Sequence, residues 1–275
     1  MEKQEVGWMF LTKDEAISLV LAFSKDHKIS SRTKLNKLIA RLNLFMLPVD
    51  VDFELNKFGS YSADLQLETT NFYETYYYAW EGKTHIGLSL SKDGESLSNA
   101  VIEQKVKRVL SGEEITNLRQ TIYSLSSLPA SQISEEEHKE LLVDAEDRHK
   151  LVQRVNSAHI DMLDLYEDAQ ELQNDDPAAI RLSALIEYCY YLTKYLKEKR
   201  FKWLEDATYD YEANMFDYYF LYILEKEAIP MLKEQIVKKE IDSARVNRYY
   251  QYFVNFARSR YPFSLDNQHL RELTA

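Results

Sequence analysis

Two Glu-x-x-His pairs, Glu135 with His138 and Glu146 with His149, are the residues of this chain best spaced for chemistry. One helical turn separates each carboxylate from its imidazole, the spacing used in carboxylate-bridged metal bundles. Both pairs, however, fall on the same side of one helix, whereas a di-metal centre draws its ligands from facing helices. The segment is also among the most polar in the chain, so a solvated face is the reading and no metal is assigned. Asp161, Asp164, Asp168 and Glu171 form a second acidic stripe near His159, without the oxygen-ligand spacing of a calcium loop. Cys189 is the single cysteine, which excludes an intramolecular disulfide, and its place on an apolar helix face makes it inert packing. The Gly-rich phosphate loop, the dinucleotide fingerprint and the Gly-x-Ser-x-Gly elbow are all missing from the sequence. The expectation is a non-catalytic protein with no cofactor.

Binding chemistry is better represented. Residues 25–41 carry Lys25, Lys28, Arg32, Lys34, Lys37 and Arg41 against Asp26 alone, a local charge of +5. Such a segment suits a phosphate backbone, and Lys83 and the amides Gln66 and Asn71 add groups able to read or clamp duplex DNA. The predicted DNA-contacting set is therefore Lys28, Arg32, Lys34, Lys37, Arg41, Gln66, Asn71 and Lys83. The bland alternative is the solvated face of a core helix. Residues 62–73, expected to form the groove-entering helix, contain Asp64 and Glu68 and no basic residue, which weakens the DNA reading. Tyrosine is the other peculiarity: of 20, 13 lie between Tyr188 and Tyr261. Tyrosine combines a large contact area with a polar tip, so Tyr188, Tyr191, Tyr195, Tyr218, Tyr222 and Tyr249 are candidates for a dimer or partner surface, with core packing as the plain alternative.

The elements that position these residues divide in two. All six glycines precede residue 113, so the remainder is expected to be almost wholly helical, with Pro129, Pro177, Pro230 and Pro262 at helix starts or stops. The net charge of −11 divides into −2 for residues 1–130 and −9 beyond. The predicted domains are 1–125 and an acidic, Tyr-rich all-helical 126–275, with the boundary in Ser126–Ser131. In the first, Thr12 and Glu15 form a capping box that starts a helix over 13–26. Ser30 or Ser31 starts a second helix, in which Leu35, Leu38, Ile39, Leu42 and Phe45 recur at helical spacing. Residues 51–56 alternate as a strand, a helix follows near 62–73, YETYYYAW and THIGLSL form a hairpin about Gly82, and a helix covers roughly 94–111. Three helices and a hairpin describe a winged helix. Beyond Ser134 the spacing predicts four to six helices in an antiparallel bundle, one of them capped by Asp175 or Asp176 with Pro177 in its first turn.

TKLNKLIARLNL (33–44), VDFELNKFGSYSADL (51–65) and LSLSKDGESL (88–97) together resemble the winged-helix domains of the YwgA and Panacea (DUF4065) type. Those domains combine a Lys-Leu-x-Lys-Leu helix, a Tyr-Gly-Pro-Tyr-Ser-like corner and a wing followed by a helix start. The corner here is Phe58-Gly59-Ser60-Tyr61-Ser62, with Ser60 in place of the proline. The resemblance covers about 80 residues of the first domain and implies a regulatory protein; several such domains are associated with toxin–antitoxin loci. With no apolar run approaching membrane length and no signal-peptide pattern, the expected setting is the cytoplasm. The expected function is a dimeric, DNA-associated transcription regulator. The rival is an antitoxin-like or chaperone-like adaptor that uses the winged helix as a scaffold without binding DNA.

Overall fold

A computed structural model describes residues 10–56, 59–139, 148–170, 176–200, 215–238, 241–257 and 260. The chain divides into two compact units, one of Met9–Leu142 with Glu212–Phe216 and one of Met1–Trp8, Val143–Tyr211 and Asp217–Ala275. The described residues are mostly helical, with a small antiparallel sheet of three strands and a separate two-stranded ribbon. Among them no helix is long and apolar enough to cross a membrane.

In the first unit, helix α1 (Lys13–Phe23) begins at the capping box, Thr12 accepting from the Glu15 amide and Glu15 accepting from the Thr12 amide. It stops earlier than the expected residue 26 because Ser24 turns extended, with φ −74° and ψ 154°, and Asp26 and His27 beyond it take left-handed φ values of 56° and 52°. Strand β1 (Lys28–Ile29) leads to α2 (Arg32–Leu44), capped by Ser31 and buried continuously from Lys34 to Asn43. The expected strand narrows to β2 (Glu54–Asn56), paired with β3 (Gly59–Tyr61). Strands β4 (Tyr73–Trp80) and β5 (Lys83–Leu90) form the expected hairpin. Its two-residue turn carries φ of 51° at Glu81 and 72° at Gly82, the doubly positive geometry that matches the twist of the flanking strands. The sheet order is β1-β5-β4. Ser91 caps α3 (Lys92–Val101), which continues through a π-helical turn over 102–106 into α4 (Lys107–Val109). Then follow α5 (Gly112–Ser127) and α6 (Ala130–Glu137).

One expected element is missing. Residues 62–72 form no helix, because their carbonyls are already engaged: the Arg32 guanidinium donates to the carbonyls of Ser62, Ala63 and Leu65, at 3.3, 3.1 and 2.8 Å. The compact unit that holds Ser126–Ser131 runs to Leu142. The expected linker is held in place by Lys34 Nζ donating to the Ser126 carbonyl at 2.9 Å and by the Lys25 amide donating to Ser126 Oγ at 2.9 Å.

The second unit contains α7 (Arg148–Ala169), α8 (Pro177–Tyr195), α9 (Met215–Ile223) from Asp217 on, α10 (Ile229–Lys238) and α11 (Ser243–Tyr250), with π-helical continuations after α8, α9 and α11. Asp176 caps α8 with Pro177 in its first turn, as the sequence suggests. Helices α7 and α8 run antiparallel, since His159 meets Thr193 while Tyr166 stacks on Tyr190. The helix over 224–238 instead runs in step with α7: Arg154 pairs with Glu225 at 2.6 Å and Asp161 with Lys233 at 2.7 Å. Both α7 and the helix over 224–238 thus run antiparallel to α8, the up-down-up alternation of the expected antiparallel arrangement.

Candidate functional site

Residues of two of the three family-like motifs, 33–44 and 51–65, meet Glu137 at one buried point. Lys37, on the central helix, donates from Nζ to Glu137 Oε2 at 2.6 Å, and both side chains are buried. The Ser60 amide donates to the same oxygen at 3.0 Å, and Ser60 Oγ donates to Glu137 Oε1. Gly59 has φ of 88°, and a Cβ there would fall on Glu137 Oε2 and Lys37 Nζ, so the corner needs glycine for conformation and for space. One step away the Ser62 amide donates to Asn36 Oδ1 at 2.5 Å. Burial pulls the Lys37 ammonium below its usual pKa, opposed by the Glu137 charge, and Arg41 adds a smaller lowering. This constellation has hydroxyl, ammonium and carboxylate in contact but no exposure to a substrate. It ties the β2–β3 corner and α6 to α2.

The predicted DNA-contacting residues are correspondingly redistributed. Lys34, Lys37 and Arg41 are only 8, 1 and 7% exposed, so they do not form a solvated basic face. Lys34 donates to the interior Ser126 carbonyl, Lys37 neutralises the Glu137 carboxylate, and Arg32 serves carbonyls of the 62–65 segment. Lys28, Gln66, Asn71 and Lys83 remain at the surface. Glu137, which decides the fate of Lys37, was invisible to sequence reasoning: it is 100 residues away, with no spacing signal to connect them.

The tyrosine set divides as well. Tyr188, Tyr218 and Tyr249 are buried and do not present a free surface, whereas Tyr191, Tyr195 and Tyr222 are half-buried. Burial pushes the Tyr218 and Tyr249 phenols up to about 12, with the Asp217 and Glu227 charges respectively adding to the shift. Tyr190 inserts between His159 and Tyr166, with ring centroids 5.5 and 4.9 Å away, which is helix packing of α7 on α8. Cys189 is fully buried and its thiol is pushed well above the usual range by desolvation, consistent with inert packing. Glu135 is exposed and paired to Lys139 at 2.7 Å, while Glu146 and the His149 side chain lie outside the described residues. Among the described residues no group of three or more His, Cys, Asp or Glu side chains converges on a metal-sized point.

The exposed apolar residues point elsewhere. On the β4–β5 hairpin, Tyr77 is 69% and Trp80 is 64% exposed, and Ile86 lies directly opposite Tyr77 on the same face. The other face carries Tyr76 and Tyr78, with Lys28 Nζ 5.3 Å from the Tyr76 ring centre and His85 stacked on Tyr78. Tyr76 lies across Gly87, where any side chain would collide with its ring. The hairpin is anchored at its base by buried Tyr73, Leu88 and Ile29, so it presents its aromatic tip from a fixed position. Compared with protein-family models, with curated proteins and with solved structures, the chain matches none.

Proposed function

We propose that this protein acts by binding rather than by catalysis, as an interaction protein whose contact element is the β4–β5 hairpin and whose winged-helix-like first unit is the scaffold. The observation that carries this reading is the exchange of roles between the two candidate surfaces. The basic side chains of α2 are buried, whereas Tyr77 and Trp80 on a rigidly based hairpin are exposed. Large aromatic side chains held at the surface are the usual anchors of protein interfaces, because they contribute area at little entropic cost. The resemblance to winged-helix domains of the YwgA and Panacea type supports a regulatory role.

A second reading, contact with duplex DNA, has one specific support. The reading of the β4–β5 hairpin as a wing is supported by the sheet order β1-β5-β4, and Lys28 and Lys83, on it or beside it, are exposed.

The test is quantitative co-purification from native lysate with the tagged wild type and with Tyr77→Ser/Trp80→Ser. A stoichiometric protein retained by the wild type and lost from the variant, with circular dichroism unchanged, is expected. A partner retained equally by both would refute the hairpin as contact element.

A further inference from the structure

Strand β4 is an edge strand, since among the described residues the sheet order places no strand beyond it. Its register with β5 and the contacts at its start fix which backbone groups face outward. The Thr75 amide donates outward to Thr69 Oγ1 at 3.0 Å, and the Tyr73 carbonyl accepts from the Thr70 amide at 2.8 Å. Odd-numbered residues of β4 therefore point their amides and carbonyls away from β5. The lower edge is covered by residues 69–70. The outward groups of Tyr77 and Ala79 make no hydrogen bond among the described residues.

Natural edge strands are usually protected by lysine, proline, a bulge or an inward charge. From Thr75 to Trp80 this one has none of them: its sequence is TYYYAW.

Resting on the reading of the hairpin as contact element, we propose that its occupant is a second copy of this chain, paired antiparallel through β4 about a two-fold axis at Tyr78. This register sets Tyr77 opposite Ala79 of the second copy and uses the outward amide and carbonyl of both residues on each edge, two donors and two acceptors. It ends where the covered segment begins, because Thr75 then faces Glu81 in the turn of the other hairpin. Side chains complement one another in the same register. The large Tyr77 ring meets the small Ala79, Tyr76 meets Trp80, and Tyr78 meets its own equivalent, the kind of aromatic cross-strand pairs that stabilise sheets. No charged residue lies between Thr75 and Trp80, so the two-fold places no like charges opposite each other within the paired window. The result is one continuous six-stranded sheet from two three-stranded ones. An interface of this size belongs to the weak, concentration-dependent class.

The test is sedimentation velocity of the full chain from about 1 to 100 µM, a range chosen for that weak class, with three variants. The wild type is expected to shift from monomer to dimer across the range. Ala79→Pro removes an outward edge donor without touching the β5 ladder, and Tyr77→Lys adds an edge charge. Both are expected to remain monomeric with unchanged circular dichroism. Tyr78→Cys is expected to form an oxidised, reducible dimer, because non-hydrogen-bonded partners across an antiparallel pair lie within disulfide reach and Cys189 is buried. A wild type that stays monomeric at the highest concentration, or a dimer indifferent to Ala79→Pro, overturns the proposal. If the chain is monomeric yet Tyr77→Ser/Trp80→Ser loses a co-purified protein, the dimer fails and the hairpin reading stands. If both assays are indifferent to hairpin changes, both fail.

Discussion

Replacing Lys37 by methionine should be among the most damaging single substitutions in the first unit. The substitution keeps the length and apolar stem but removes the counter-charge of Glu137, whose carboxylate is then left with the Ser60 amide and hydroxyl as donors. Leaving one partner of a buried pair uncompensated costs about 3–5 kcal/mol. The double variant Lys37→Met/Glu137→Leu removes both charges and leaves only the Ser60 donors without an acceptor, a cost of about 1–3 kcal/mol. The double variant should therefore be more stable than Lys37→Met alone. Hydrogen exchange of the peptide covering 32–44 reads this directly, because α2 is buried from Lys34 to Asn43 and its slowest amides exchange through opening of the unit. An opening free energy for Lys37→Met within about 1 kcal/mol of wild type, well short of the buried-pair cost, would refute the role assigned to the pair. So would a double variant that loses the sum of the two singles, because independent sites simply add.

Other consequences follow from the same geometry. Gly59→Ala should destabilise the first unit by about 1–3 kcal/mol, since it strains a left-handed backbone and crowds the ion pair, and thermal unfolding would register the loss. Arg32→Met should release the carbonyls of residues 62–65 and open that segment to limited proteolysis, while the hairpin remains protected. Tyr218 and Tyr249 keep their protons in the folded chain up to about 12, whereas an unfolded phenol loses its proton near 10.0. Their contribution to stability is thus complete below pH 10 and lost as the pH rises towards 12, so urea midpoints should be level up to pH 10 and fall above it.

Much of the fold is legible from local signals. The Thr12–Glu15 box, Ser31 and Asp176 with Pro177 mark helix starts that the structure reproduces, and alternation with Gly82 marks the hairpin. What local signals miss is long-range. Periodicity shows that Lys34, Lys37 and Arg41 share a polar face of α2, but whether that face meets water depends on Glu137 and on the Ser126 carbonyl, far away in sequence. The missing helix at 62–72 has the same cause, since nothing within that stretch announces that Arg32 will claim its carbonyls. Nothing in the sequence sets the exposed Tyr77 and Trp80 apart from ordinary strand residues, because alternation assigns faces without saying which end of a strand projects beyond the core.

The most direct test of whether recognition lies on the hairpin, with α2 as scaffold, is titration of the intact protein against a fluorescent generic duplex at about 50 and about 200 mM salt, a range over which phosphate contacts lose affinity steeply. With Lys34, Lys37 and Arg41 buried, no micromolar binding of that steep kind is expected from α2, and any weak binding should vanish in Lys28→Ala/Lys83→Ala. Micromolar binding that falls steeply with salt and is unchanged in Lys28→Ala/Lys83→Ala would contradict this, because the basic side chains of α2 would then have to reach the phosphates.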